Sequence, residues 1–223
     1  VNNFAWSFSR LKNFRSCPKK YYHVDIAKEY KDDSEQLRWG DEIHKALHKR
    51  LEKGTQLPAT MKNYEDWPVA VENGSEGLKV LVENKLAMNE SFQPCGFFDA
   101  DVWFRGVVDV LVLGDKEAVT IDWKTGKIKP DYEQLALSAQ LVFAHYPNID
   151  TVKAVYVWFS HDKMTRETYR RDDMLSVWSN VMPMVREMAE AHRTLTYPPK
   201  PSGLCIHWCP VASCPFHGKG GRA

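Results

Sequence analysis

Two apolar segments of this chain each carry one aspartate: GVVDVLVL (106–113) with Asp109, and AVTIDWK (118–124) with Asp122. Between them GDKE (114–117) has the composition of a tight turn, so the pair is expected to form a β-hairpin. If Leu113 faces Ala118 across that turn, Asp109 faces Asp122. Opposed side chains in an antiparallel pair stand roughly 4.5–5.5 Å apart at Cβ, where two like charges repel. Carboxylates in apolar strands are costly without a partner, so this arrangement asks for a cation. Two carboxylates suit a hard divalent ion such as Mg²⁺ or Mn²⁺. Period-two alternation places Lys124 on the same face as Asp122 and turns Trp123 away. A divalent ion with an adjacent ammonium can stabilise charge on a phosphate and activate water, which is the chemistry of phosphodiester hydrolysis. Acid-x-Lys occurs three times, at Glu29-Tyr30-Lys31, Glu83-Asn84-Lys85 and Asp122-Trp123-Lys124. Of these, only the third is expected on an apolar strand with a second acid facing it.

The elements that must position these groups follow from periodicity. Ser7 or Ser9 can cap a first helix with Phe8, Leu11 and Phe14 at helical spacing, and Ile43, Leu47 and Leu51 form the stripe of another, with His44 and His48 beside it. Residues 53–76 read as a loop or short helices, and 75–88 fits a helix or a strand. After the hairpin, YEQLALSAQLVFAHY (132–146) reads as an amphipathic helix stopped by Pro147. TVKAVYVWF (151–159) reads as a strand paired with 165–170, and 172–193 as a long helix kinked at Pro183. This order predicts one mixed α/β domain over 1–223: N-terminal helices (1–52), a core (80–160) and a Cys-rich tail (196–218).

Composition is that of an ordinary globular chain. It has 223 residues, 43% hydrophobic and 26% charged, which argues against disordered, collagenous and membrane classes. No apolar run approaches the ~18 residues of a membrane span and no signal-peptide pattern opens the chain, so a cytoplasmic location is expected. Thirty Lys and Arg against 29 Asp and Glu leave a net charge of +1, so any polyanion must be met by local clusters. Basic residues cluster in three places, the first together with aromatic residues: Arg10, Lys12, Arg15, Lys19 and Lys20 with Tyr21 and Tyr22; Lys124, Lys127 and Lys129; and Arg166, Arg170 and Arg171. Their phosphate contacts would be salt-dependent, and the tyrosines could stack on unpaired bases. Five cysteines, Cys17, Cys95 and the triplet Cys205, Cys209 and Cys214, point to metal or cluster ligation rather than disulfides. Zn²⁺ could take the triplet with His207 or His217, reduced thiols are the third reading, and Cys95 is expected to be a packed residue.

In order along the chain, Gly40-x-x-x-His44, Gly106-Val107-Val108-Asp109, Asp122-Trp123-Lys124 and Gln134 resemble the motifs of the PD-(D/E)XK nuclease superfamily, specifically its RecB-like branch. The opening SFSRLKNFRSCPKKYY also resembles that branch, whereas the tyrosine usual four residues after the glutamine is Ser138 here. The resemblance implies a restriction-endonuclease-like α+β core, a mixed sheet flanked by helices. It implies His44, Asp109 and Asp122 as ligands of Mg²⁺ or Mn²⁺, the Trp123 carbonyl as a further one, Lys124 as catalytic lysine, and Gln134 as a residue positioning the site or the DNA. An upstream acid contributes in many members, and Glu83 is the candidate, with Glu90 behind it. Some members hold a 4Fe–4S cluster on one early and three late cysteines, which implies Cys17, Cys205, Cys209 and Cys214 as its ligands; the middle one is displaced by one residue from the common spacing. The activity implied is a metal-dependent DNA exonuclease on single-stranded or frayed ends, stand-alone and of bacterial or bacteriophage type. The rivals are a noncatalytic nucleic-acid-binding protein with a zinc or iron–sulfur tail, and an endonuclease on the same fold.

Overall fold

The computed structural model describes residues 4–31 and 34–220. Its elements run α1 (Phe8–Ser16), α2 (Pro18–Tyr21), α3 (Glu35–Lys53), α4 (Asp66–Gly74), β1 (Lys79–Met88), β2 (Pro94–Cys95), β3 (Phe104–Leu113), β4 (Glu117–Lys124), α5 (Tyr132–His145), β5 (Thr151–Trp158), β6 (Lys163–Arg170), α6 (Leu175–Thr194) and α7 (Leu204–His207). The chain divides into two compact units, one of residues 34–177 and one of 1–33 with 178–223.

The larger unit is a six-stranded mixed sheet in the order β2-β1-β3-β4-β5-β6, all neighbours antiparallel except β4 and β5. That parallel pair is joined through α5, as parallel strands require a crossover. The segment that fits helix or strand by periodicity is the strand β1, paired along its length with β3. α3 and α4 pack on one side of the sheet: Ile43, Leu47, Leu57, Met61 and Val71 form a core with Val110, Val112, Trp123, Val155 and Val157. On the other side Leu135 of α5 packs with Ala154, Tyr156 and Trp158. α5 is not amphipathic as expected. Eight of its fourteen residues are buried, in nearly continuous runs that close it in on most sides.

α3 is well delimited. The Ser34 hydroxyl accepts from Leu37 N, and Gly54 ends the helix at φ 65°. Gly40, in its second turn, lets it approach the end of β4, since a Cβ there would fall 3.1 Å from Thr125 Oγ1.

In the smaller unit α1 begins at Ser7, whose hydroxyl accepts from Arg10 N, and buries Leu11 and Phe14. α2 is followed by a π-helical turn at Tyr22–Ile26. From Trp178 onward α6 belongs to this unit and continues as helix through Pro183. No helix among the described residues is long and apolar enough to cross a membrane.

Candidate active site

The hairpin register is the one expected: Leu113 pairs Ala118 and Val110 pairs Ile121, so the next opposed positions are Asp109 and Asp122. There the backbone ladder gives way to side-chain bonds. Trp123 N–H donates to Asp109 Oδ2 at 2.8 Å, and the Trp123 carbonyl is 2.9 Å from His44 Nε2. The other ring nitrogen of His44 is 3.4 Å from Asp109 Oδ1. The peptide groups on either side of Trp123 Cα thus tie α3 and β3 to β4.

A third acid enters from β1. The β1–β3 register pairs Val82 with Val110 and Asn84 with Val108, which leaves Glu83 opposite Asp109. Ligand atoms of His44, Glu83 and Asp109 all lie within 4.8 Å of one another. This corrects the reading that only Asp122-Trp123-Lys124 lies on a strand facing an acid; Glu83-Asn84-Lys85 does too. Glu83 has φ 49°, a left-handed conformation that a non-glycine residue in a strand rarely adopts. Side-chain alternation also switches here. Gly106 lies against Leu141 of α5, whereas Val110 and Val112, an even number of residues on, pack with Ile43 and Leu47 of α3. Glu90, the other upstream acid, is exposed in the turn after β1.

Asp122 belongs to a second group. Its Oδ1 is 2.7 Å from Lys124 Nζ, and its Oδ2 accepts from Gln134 Nε2 at 2.7 Å. Gln134 Oε1 in turn accepts from Lys124 Nζ at 3.2 Å and from the Tyr156 hydroxyl at 3.1 Å. Tyr156 stands opposite Asp122 in the parallel β4–β5 register, and the Lys124 ammonium lies 4.9 Å from its ring centroid. No sequence motif indicated Tyr156. Its place depends on a parallel pairing made through α5.

The electrostatics follow from burial and crowding. Burial raises the pKa of Asp122, opposed by Lys124 and reinforced by Asp109. Burial and the Asp109 charge raise Glu83. For His44 burial favours the neutral ring, but the hydrogen bond and charge of Asp109, with Asp122, outweigh it and raise its pKa. The Glu83 carboxylate makes no hydrogen bond or ion pair among the described residues. Two close carboxylates, one lacking a hydrogen-bonding partner, with an imidazole beside them form a donor set that fits a hard divalent cation.

The cysteines implied as cluster ligands all lie in the smaller unit. Cys17 Sγ accepts from the backbone N–H groups of Lys20 and Lys200 at 3.5 and 3.3 Å, and Cys205 Sγ from Ser202 N at 3.4 Å. Burial raises the Cys209 thiol pKa, and Cys205 and Cys17 add to that effect, so these three are electrostatic neighbours. Cys214 follows in a turn where its N–H bonds Val211 O. Cys17 is the N-cap of α2, and its contact with Lys20 N is that helix's cap. All five cysteines are unpaired, and Cys95 is half-buried on β2.

Two expected DNA contacts are otherwise engaged. Tyr21 is fully buried, with its hydroxyl 2.6 Å from His192 Nε2, so its ring is closed to a base. Arg171 donates to the carbonyls of Phe143, Tyr146 and Ile149, fastening the end of α5. Lys127 and Lys129 are exposed in the segment after β4.

Among solved structures the chain resembles the "Putative exonuclease" from Eubacterium rectale, with a TM-score of 0.61, 11% identity, and coverage of 93% of this chain and 88% of that one. It also resembles the protein SSO0001, with a TM-score of 0.51, 17% identity, and coverage of 97% and 88%. At these identities the likeness is one of fold. No curated protein shows significant sequence similarity to the chain. The model of the PD-(D/E)XK nuclease superfamily matches residues 5–215, nearly the whole chain. The chain therefore belongs to the PD-(D/E)XK nuclease superfamily.

Proposed function

We propose that this protein is a Mg²⁺- or Mn²⁺-dependent deoxyribonuclease of the RecB-like branch, working as one nuclease domain. It acts as an exonuclease on single-stranded or frayed DNA ends in the cytoplasm of a bacterial or phage-infected cell. The observation that carries the reading is the junction at Trp123, where the His44–Glu83–Asp109 group adjoins the Asp122–Lys124–Gln134 group. His44, Glu83 and Asp109 would hold the cation, and one ring nitrogen of His44 must give up its present partner to do so. Asp122 can join them once its oxygens are released from Lys124 and Gln134, and the Trp123 carbonyl once released from His44. The bound ion would polarise a phosphoryl oxygen and lower the pKa of water.

The protein's own groups do the rest. Lys124 holds an ammonium between Asp122 and Gln134 over the Tyr156 ring, placed to stabilise charge gathering on the phosphate. The Tyr156 hydroxyl shares its one proton between the Asp131 carbonyl at 2.8 Å and Gln134 Oε1 at 3.1 Å, which holds the amide so that its N–H group faces Asp122. Hydrolysis adds water across a P–O bond, leaving a phosphate monoester and a free hydroxyl.

For the smaller unit we propose a 4Fe–4S cluster on Cys17, Cys205, Cys209 and Cys214, supported by Cys17, Cys205 and Cys209 being electrostatic neighbours. Anaerobically purified protein is then brown; colourless protein with one equivalent of zinc assigns the tail to Zn²⁺. The activity is tested with end-labelled linear and circular DNA, single- and double-stranded, with Mn²⁺ or EDTA. Metal-dependent shortening of linear single strands with circles left intact supports the reading. Cut circles assign an endonuclease, and binding without cleavage assigns a noncatalytic protein.

A further inference from the structure

The turn between β2 and β3 breaks a local rule. Asp99 N–H donates to Gly96 O at 3.0 Å, and the Asp99 carboxylate accepts from Gly96 N–H at 2.7 Å. The central positions of this closed turn are Phe97 and Phe98. Turn centres favour Gly, Pro, Asn, Asp and Ser, so two adjacent phenylalanines at the apex serve neither the turn nor the core. Phe98 is 78% exposed. The rings meet edge to face at 5.1 Å between centroids and 80°.

Cations flank them. Lys85 Nζ lies 5.6 Å from the Phe98 centroid and 5.9 Å from that of Phe97. The Arg105 guanidinium lies 5.1 Å from Phe97 and donates to its carbonyl at 3.1 Å. The two neighbouring acids are turned into the loop, Asp99 onto Gly96 and Asp101 toward Asn89.

The strands lead from this group to the proposed metal site. Lys85 is two residues beyond Glu83 on β1, and Arg105 four before Asp109 on β3, about 7 and 13 Å at strand rise. Lys85 pairs with Val107, which is itself 43% exposed. Gly106 faces α5, so Arg105 and Val107 lie on the side of the sheet away from α5. Asp109 meets His44 of α3 on that same side. A lane of exposed sheet therefore runs from the acids to a cationic aromatic step.

We propose that the Phe97–Phe98 turn, with Lys85 and Arg105, is a stacking platform for unpaired bases of a DNA strand whose scissile phosphate lies at Glu83 and Asp109. This rests on the nuclease reading and names its substrate: a single strand of any sequence. Phenyl faces stack on every base but are closed to bases paired within a duplex. The flanking cations meet the phosphates, which favours a nucleic acid over an apolar peptide as occupant.

The test is equilibrium binding of a fluorescent single-stranded oligonucleotide and a duplex of equal length, in EDTA to prevent cleavage. Phe98→Ala is expected to weaken single-strand binding by roughly 5- to 100-fold and duplex binding little, and Phe98→Trp to restore it. 2-Aminopurine placed along the oligonucleotide should be quenched by the wild type and released in Phe98→Ala. Because Phe98 is exposed, folding is expected to be unaffected, and an unchanged far-UV spectrum checks it. Equal single-strand affinity in wild type and Phe98→Ala, or equal loss on duplex, overturns the platform. A parallel cleavage assay separates the two claims. Binding that depends on Phe98 in a protein that never cuts removes the nuclease and keeps the platform, whereas cutting without dependence on Phe98 does the reverse.

Discussion

Glu83 stands across the β1–β3 ladder from Asp109 and holds a left-handed backbone conformation in the middle of a strand. Such a conformation costs a non-glycine residue on the order of 1–2 kcal/mol. It persists where the surrounding structure imposes it, and it brings a carboxylate to His44 and Asp109. The strain and the grouping of the two carboxylates with His44 thus have one origin.

Glu83→Gly separates them. Glycine accepts a positive φ, so the metal-free variant should melt higher than wild type by about 2–4 °C. The same change removes a carboxylate, and metal-dependent cleavage should fall by at least about 10-fold. Calorimetry and a cleavage assay on one preparation check both; a lower melting temperature contradicts the strain argument.

The raised pKa values of His44, Glu83 and Asp122 set a pH dependence. A group whose folded pKa is raised stabilises the fold while protonated and loses that contribution as pH rises through the folded pKa. Cation binding needs these groups deprotonated and displaces their protons. The increase in melting temperature produced by Mn²⁺ should therefore grow between pH 6 and pH 8, and thermal scans at fixed Mn²⁺ measure it. An increase that shrinks over that range contradicts the assignment.

Tyr156→Phe keeps the ring beneath Lys124 and deletes the hydroxyl bonded to Gln134 and the Asp131 carbonyl. Its kcat should fall about 10-fold, as for loss of an orienting partner, with KM little changed. Combined with Gln134→Ala it should add almost nothing, because both act on the placement of Lys124. Full additivity would show that Tyr156 acts elsewhere.

The Asp109–Asp122 opposition was legible in the sequence because a hairpin's register follows from its turn length, and GDKE sets that length. His44 was legible only through family resemblance, since its spacing from Ile43 and Leu47 puts it beside the buried stripe of α3 whatever it does. The Glu83–Asp109 opposition was not legible. β1 reads as readily as a helix, and Glu83-Asn84-Lys85 looks like a surface charge pair until β3 is laid beside it. Tyr156 was hidden by distance along the chain, as its pairing with Asp122 is parallel and passes through α5. The Phe97–Phe98 turn was visible as residues but had no meaning before Lys85 and Arg105 were brought to it.

The most direct test of the central claim measures Mn²⁺ binding by titration calorimetry and single-strand cleavage in the same preparations of wild type, Asp109→Asn and Lys124→Ala. The account predicts that Asp109→Asn loses both binding and cleavage, and that Lys124→Ala binds Mn²⁺ but does not cut. Wild-type binding by Asp109→Asn, or cleavage by Lys124→Ala at the wild-type rate, would contradict it.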